Sequence, residues 1–217
     1  MKDFIKGFII RKGHFVSLAL LTDKVSQLLA PYIIVMYVSQ LVYGNFIYGM
    51  TIIGVMIPFS GGGLNHSLLY YGSDSEDKRS LFSNILITGS ALNFILVLVI
   101  LMLSPVLTYN RPDSLFYLNL LTVFMFFQFY HLILNNHYRI NDSNLNYSKN
   151  NLVKSLIFVS AIIILVPNYG IYGLIIAYIL SPLYSTVKSF KIFTYKDLSF
   201  KKSSKYIKYG VYVGLSS

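Results

Sequence analysis

An acid and a base stand side by side, Asp23 and Lys24, inside a long apolar run at residues 15–42. Near the centre of a spanning helix each such charge costs roughly 2.5 to 3.5 kcal/mol. Each Leu, Ile, Val or Phe returns only about 0.3 to 0.6 kcal/mol. The run holds enough large apolar side chains to offset the pair, so it inserts with its charges. Helical spacing adds more polar groups. Gln27 is four residues beyond Asp23, and Lys24, Gln27 and Pro31 share a face. Gln128, His131 and Asn135 fall on one face of a later run, and Asn65 and His66 follow a glycine cluster. Polar groups in lipid turn toward the bundle interior, so together they line a path for a polar or charged substrate. The alternative for Lys24 is an interfacial anchor whose long stem snorkels to the membrane boundary. For the amides and histidines it is interhelical hydrogen bonding, typically worth about 0.6 kcal/mol each.

Covalent and acid–base chemistry has little to work with. The chain has no cysteine, which removes thiol nucleophiles, disulfides and thiolate metal sites. His131 and His137 lack a third ligand at metal-binding spacing. Asp23 is the one acid within a spanning run, so no carboxylate pair is available. No serine sits in a nucleophile elbow and no phosphate-loop motif occurs, so neither a cofactor nor ATP is called for. An enzyme is the weaker class.

The elements that must carry these residues are membrane helices. The 217 residues are 55% hydrophobic and only 12% charged, about half the charge of a soluble domain. Mean hydropathy is +0.60. The reading is an all-α polytopic bundle of six spans at 15–42, 46–71, 81–107, 115–134, 152–166 and 171–187. Turns are expected at Tyr43-Gly44-Asn45, in the polar stretch 73–80, at Asn110-Arg111-Pro112-Asp113, in an Asn-rich loop at 137–151, and at Pro167-Asn168-Tyr169-Gly170. Pro105 is expected to stop the third span, and Lys154 to snorkel at the start of the fifth. Pro58 with Gly61, Gly62 and Gly63 breaks the second span, either as a packing kink or as a hinge. Of the 18 Lys and Arg residues, all but Arg111 and Lys24 fall on one side of this topology. The positive-inside rule then puts the basic N-terminus at 1–14 and the lysine-rich segment at 188–208 in the cytoplasm, with 209–217 opening a seventh span. The net charge of +10 is therefore a topology signal that also suits anionic lipid, and nucleic acid is not implied.

The order of several short motifs resembles a known family. They are Tyr43-Gly44-Asn45-Phe46, Gly63-Leu64, Ser67-Leu68-Leu69-Tyr70-Tyr71-Gly72, and Tyr169-Gly170-Ile171-Tyr172-Gly173-Leu174-Ile175-Ile176-Ala177-Tyr178. In the last, Gly170, Gly173 and Ala177 make a small-residue face for close helix packing. The chain resembles the Wzx-type O-antigen and polysaccharide-unit flippases, whose superfamily also holds the drug-exporting MATE proteins. That resemblance implies movement of an undecaprenyl-diphosphate-linked oligosaccharide across a bacterial cytoplasmic membrane. A coupling ion (H+ or Na+) and polysaccharide polymerase or assembly proteins are the further partners it implies. Cationic residues of related flippases meet the lipid diphosphate, and that role carries over here only to Asp23-Lys24. The implied whole has about twelve to fourteen spans in two bundles around a cavity. This chain matches the first bundle and the opening of the second, so an N-terminal half is expected. A MATE-like ion-coupled exporter is the same-fold alternative, and a membrane polysaccharide-modifying enzyme is the different-class one.

Overall fold

The computed structural model describes residues 12–194 and 200–216; the basic stretch 1–11 and Lys196 lie outside the described residues. Among the described residues every regular element is helical. They are α1 (Gly13–Tyr37), α2 (Gln40–Met56), α3 (Leu64–Asp74), α4 (Lys78–Leu107), α5 (Leu115–Ile140), α6 (Asn144–Tyr169), α7 (Ile171–Leu180), α8 (Leu183–Ile192) and α9 (Phe200–Ser216). Six units are long and apolar enough to cross a membrane: α1, α2 with α3, α4, α5, α6, and α7 with α8. The chain is a multi-pass membrane protein.

Several boundaries differ from the sequence expectation, each for a local reason. The first turn lies at Val38 and Ser39, both extended, while Tyr43-Gly44-Asn45 is already helical in α2. No glycine or proline marks Val38, so nothing in the local composition announces the turn. The stretch 73–80 shrinks to residues 75–77, because Asp77 accepts a hydrogen bond from the Ser80 amide at 2.9 Å and starts α4 early. Pro105 and Pro167 sit within the last turns of α4 and α6 and do not end them at once. The expected loop at 137–151 is mostly helix, with only residues 141–143 between α5 and α6. Asparagine there is helical because its amides are satisfied, as when Asn151 Nδ2 donates to the Tyr147 carbonyl at 2.8 Å. The sixth unit bends at Ser181 and Pro182 and runs on to Ile192.

α5 is the axis. It touches α2, α3, α4, α6, α7 and α8, and most of its length is buried. α1 lies along α6, using the stripe Ala19, Ser26, Ala30 and Ile34. Gly173 lets α7 close on α6, since a Cβ there would strike the backbone of Leu165 and Val166. Gly170 instead takes a positive φ of 54° at the turn, and Ala177 is fully buried. Two basic side chains close helix ends: Lys78 Nζ donates to the Ile140 carbonyl at 2.6 Å and Arg79 Nε to the Ile192 carbonyl at 3.1 Å.

The second span breaks at a 3-10 turn, Ile57–Gly63, with Pro58 near its start. Gly61, Gly62 and Gly63 all have φ between 63° and 69°, the left-handed region where a side chain is strained. Space is short as well. A Cβ on Gly62 would lie 2.8 Å from Leu92 Cδ1, and one on Gly63 would meet the backbone of Gly210. α9 lies across this break. Ser67 Oγ donates to the Tyr206 carbonyl at 2.7 Å, and Tyr70 stacks on Tyr209 with centroids 4.4 Å apart. The element expected at 209–217 thus begins at Phe200, inside the lysine-rich segment.

Candidate functional site

Two clusters of polar side chains in the bundle share α5 and α6. The first lines a partly open cavity of about 460 Å3 bounded by α1, α2, α5, α6 and α7. That volume falls in the roughly 300–1,000 Å3 range of small-molecule sites. α1 supplies Asp23 and Gln27, α5 supplies Gln128, and α6 supplies Lys154 and Ser155. Tyr43, Phe46, Phe124, Phe158 and Tyr178 give it aromatic walls. Asp23 is ten residues beyond Gly13 and Lys154 ten beyond Asn144. Both therefore lie about 15 Å along their helices, near the middle of a spanning length. Gln27 Nε2 donates to Asp23 Oδ2 at 2.8 Å, and Ser155 Oγ donates to Asp23 Oδ1 at 3.3 Å. Gln128 is 9% exposed, and its Oε1 has no hydrogen-bond partner among the described residues.

The second cluster begins one helical turn away and is closed. Asn135 Nδ2 donates to His131 Nε2 at 3.1 Å, which makes Nε2 an acceptor and assigns the ring proton to Nδ1. His131 Nδ1 then donates to Ser185 Oγ at 2.9 Å, and Ser185 Oγ donates to Asn150 Oδ1 at 3.0 Å. Asn150 Nδ2 donates to Asn135 Oδ1 at 2.8 Å and completes the circuit. Asn151 joins at the edge, its Oδ1 accepting from Asn135 Nδ2 at 3.2 Å. Four side chains from α5, α6 and α8 point their donors one way round, and each of their polar atoms has a partner within the ring. This ring holds the three helices together.

The sequence-derived candidates thus fall in different places. Asp23, Gln27 and Gln128 meet in the cavity; His131 and Asn135 meet in the ring. Lys24 is exposed on α1, next to the cavity and outside its lining. Asn65 and His66 lie on α3 just past the glycine break and line no part of it either. Lys154, Ser155, Asn150, Asn151 and Ser185 are additions. The signal for them is a helical repeat, Asn150-Asn151 followed at i+4 by Lys154-Ser155, running into the apolar stretch. Lys154, expected to snorkel at a helix start, is a turn and more deeper and lines the cavity. No group of three or more His, Cys, Asp or Glu suited to a metal ion occurs among the described residues.

Comparison with known proteins gives two matches. The fold is that of a solved multidrug resistance MATE family transporter of the MOP superfamily, in an outward-facing conformation. The TM-score is 0.74 at 16% identity, over 96% of this chain and 52% of that one. The chain spans about half the length of that transporter. None of the curated proteins matches it. A family model described as polysaccharide biosynthesis protein matches residues 34–217, which takes in every spanning unit but most of the first. The chain belongs to that polysaccharide biosynthesis family.

Proposed function

We propose that this chain is part of a membrane transporter that moves an undecaprenyl-diphosphate-linked oligosaccharide across the bacterial cytoplasmic membrane, as the Wzx-type flippases do. The observation that carries the reading is a polar, aromatic-walled cavity at mid-helix depth in a chain of the polysaccharide biosynthesis family. A soluble oligosaccharide cannot cross hydrocarbon because each hydroxyl would lose its hydrogen bonds to water. A path through a helix bundle must replace those bonds, and amides, hydroxyls and a charged pair do so. The diphosphate needs cations, and Lys24 is the one we assign. Residues 23 and 24 diverge by about 100° around α1. Asp23 therefore enters the cavity while Lys24 stands outside it, where a lipid-borne diphosphate arrives from the bilayer. Both flanking ends face the cytoplasm in this reading, and polymerase or assembly proteins would receive the product outside. Pro58 and the three glycines would serve as a hinge for the second span.

The test is complementation of a strain lacking its lipid-linked oligosaccharide flippase by the transporter of which this chain is part. Lys24→Ala should lower surface polysaccharide on the order of tenfold, the scale of one charge-assisted contact, and Lys24→Arg should restore it. Equal activity of Lys24→Ala and the parent would remove Lys24 from the path. The position of Asp23 in the cavity also favours a second reading, ion-coupled export of a small molecule. In that case Asp23→Asn abolishes H+- or Na+-dependent efflux. Under the flippase reading drug sensitivity does not change.

A further inference from the structure

We infer that α9 is a coupling arm: it stays clasped to α3, and its displacement swings α3 about the glycine break while α2, α4 and α5 hold still. The inference rests on the transport reading above, in which α9 opens the second bundle, and it names which parts move together. The three glycines of the break meet three different neighbours. A Cβ on Gly61 would strike the ring of Phe129, and one on Gly62 would lie 2.8 Å from Leu92 Cδ1. Both are ends of side chains, which can turn aside. Gly63 and Gly210 instead meet backbone to backbone. A Cβ on Gly210 would lie 2.7 Å from the Gly62 carbonyl oxygen and 2.9 Å from the Gly63 carbonyl carbon. Backbone cannot yield unless its helix moves, so the end of the break and α9 shift as one.

The grip continues along α3. Gly63, Ser67, Tyr70 and Tyr71 recur at helical spacing and all meet α9. Ser67 Oγ donates to the Tyr206 carbonyl, and Tyr70 stacks on Tyr209. Tyr71 lies against Tyr206 and Tyr209 at centroid distances of 5.2 and 5.6 Å, and Lys205 Nζ stands 4.8 Å from the centre of its ring. These contacts are directional and hold one geometry. The other face of α3 is different. Leu64 and Leu68 are fully buried with Phe82, Ile85, Phe129 and Ile133 of α4 and α5. Aliphatic packing of that kind slides by small side-chain shifts. Asn136 Nδ2 donates to the Asn65 carbonyl at 3.0 Å, which pins α3 to α5 beside the break and marks the pivot. Toward α2 the restraint is weak, since Ser60 is extended and Gly61 and Gly62 are left-handed, so no continuous helical ladder joins α2 to α3.

The experiment uses the whole transporter, freed of cysteine elsewhere and reconstituted in vesicles with lipid-linked oligosaccharide, and compares two pairs of thiols. Tyr70→Cys with Tyr209→Cys, bridged by a short bis-methanethiosulfonate, ties α3 to α9. Gly72→Cys with Ile140→Cys ties the far end of α3 to α5. A Cβ on Gly72 would lie 3.2 Å from Ile140 Cβ, near the roughly 3.5–4.5 Å that a disulfide spans. Bridging the first pair should leave translocation within about twofold of the unbridged protein, and bridging the second should lower it by about tenfold or more until reductant restores it. Loss of translocation on bridging α3 to α9 means that the two part during the cycle, and the inference falls. Full translocation with α3 tied to α5 also overturns it, because α3 then does not swing. If the Gly72→Cys pair does not elute as a single species, spin labels decide. Labels at the exposed Val55 and Ser73, across the break, should give a broad or two-peaked distance distribution, and labels at Ser73 and Tyr212 a narrow one. The reverse pattern overturns the coupling. A parent protein that moves no lipid-linked oligosaccharide overturns the transport reading, while the spin-label distances still test the coupling.

Discussion

Two polar clusters lie one helical turn apart on the same pair of helices, and they are opposites. The ring built on His131 is buried, closed and internally paired. The cavity beside it has half-paired groups, an orphaned oxygen and empty volume. Their residue types overlap: both have amides and hydroxyls, the ring adding one histidine and the cavity adding an acid and a base, Asp23 and Lys154. What separates them is satisfaction. A polar group that has found its partners holds helices together. One that has not, and that lines a cavity, is free to meet a ligand or water after a small rearrangement.

Breaking the ring should have the largest effect on folding. Asn150→Leu removes a donor and an acceptor: the Ser185 hydroxyl proton loses its acceptor, and Asn135 Oδ1 keeps only the longer 3.4 Å bond from Asn151 Nδ2. A loss of about 1–3 kcal/mol follows, read as a lower melting temperature in detergent, with transport falling only as folded protein falls. Breaking the cavity should do the reverse. Lys154→Gln should lower transport of lipid-linked oligosaccharide on the order of tenfold or more, while the melting temperature holds. Gln128→Leu sharpens the contrast further. Replacing an unpaired buried amide with an alkyl group of similar size should stabilise the bundle by about 0.5–1 kcal/mol even as transport declines. A variant more stable and less active marks a functional group and not a structural one.

The parts legible in the sequence were those with a local signal. Apolar length revealed six spanning units, and Pro58 with three glycines revealed the break in the second. The polar face of α5 was legible too, because i, i+3, i+7 spacing is a property of one helix. Partnership between helices was not. Asn150 and Asn151 read as loop because asparagine usually is loop. They are helical here because Asn135 and Ser185, distant in sequence, pair with the ring that Asn150 completes. Lys154 was misplaced for the same reason: once 137–151 is read as loop, Lys154 becomes a boundary residue. The glycines also show the limit. Their spacing suggested a break, but the cause that α9 lays Gly210 against Gly62 and Gly63 is a long-range contact.

The smallest expected effect checks one of those corrections. Gly44 has no heavy atom within 4 Å of an added Cβ and sits in the first turns of α2, not in a turn between spans. Gly44→Ala should be neutral or stabilise by up to about 1 kcal/mol, as alanine does in a helix. A clear loss of stability would return Tyr43-Gly44-Asn45 to a turn.

The claim at the centre is that the cavity at Gln128 is where the polar part of a lipid-linked substrate goes and that the ring is not. The absence of native cysteine makes a direct measurement possible. Gln128→Cys supplies a single thiol, which a small hydrophilic methanethiosulfonate can label in nanodiscs with or without lipid-linked oligosaccharide. The account predicts that the thiol labels and that substrate slows the labelling, while a thiol at Asn135 stays unreactive in both conditions. Labelling at Gln128→Cys that substrate does not change, or equal labelling at the two positions, would contradict it.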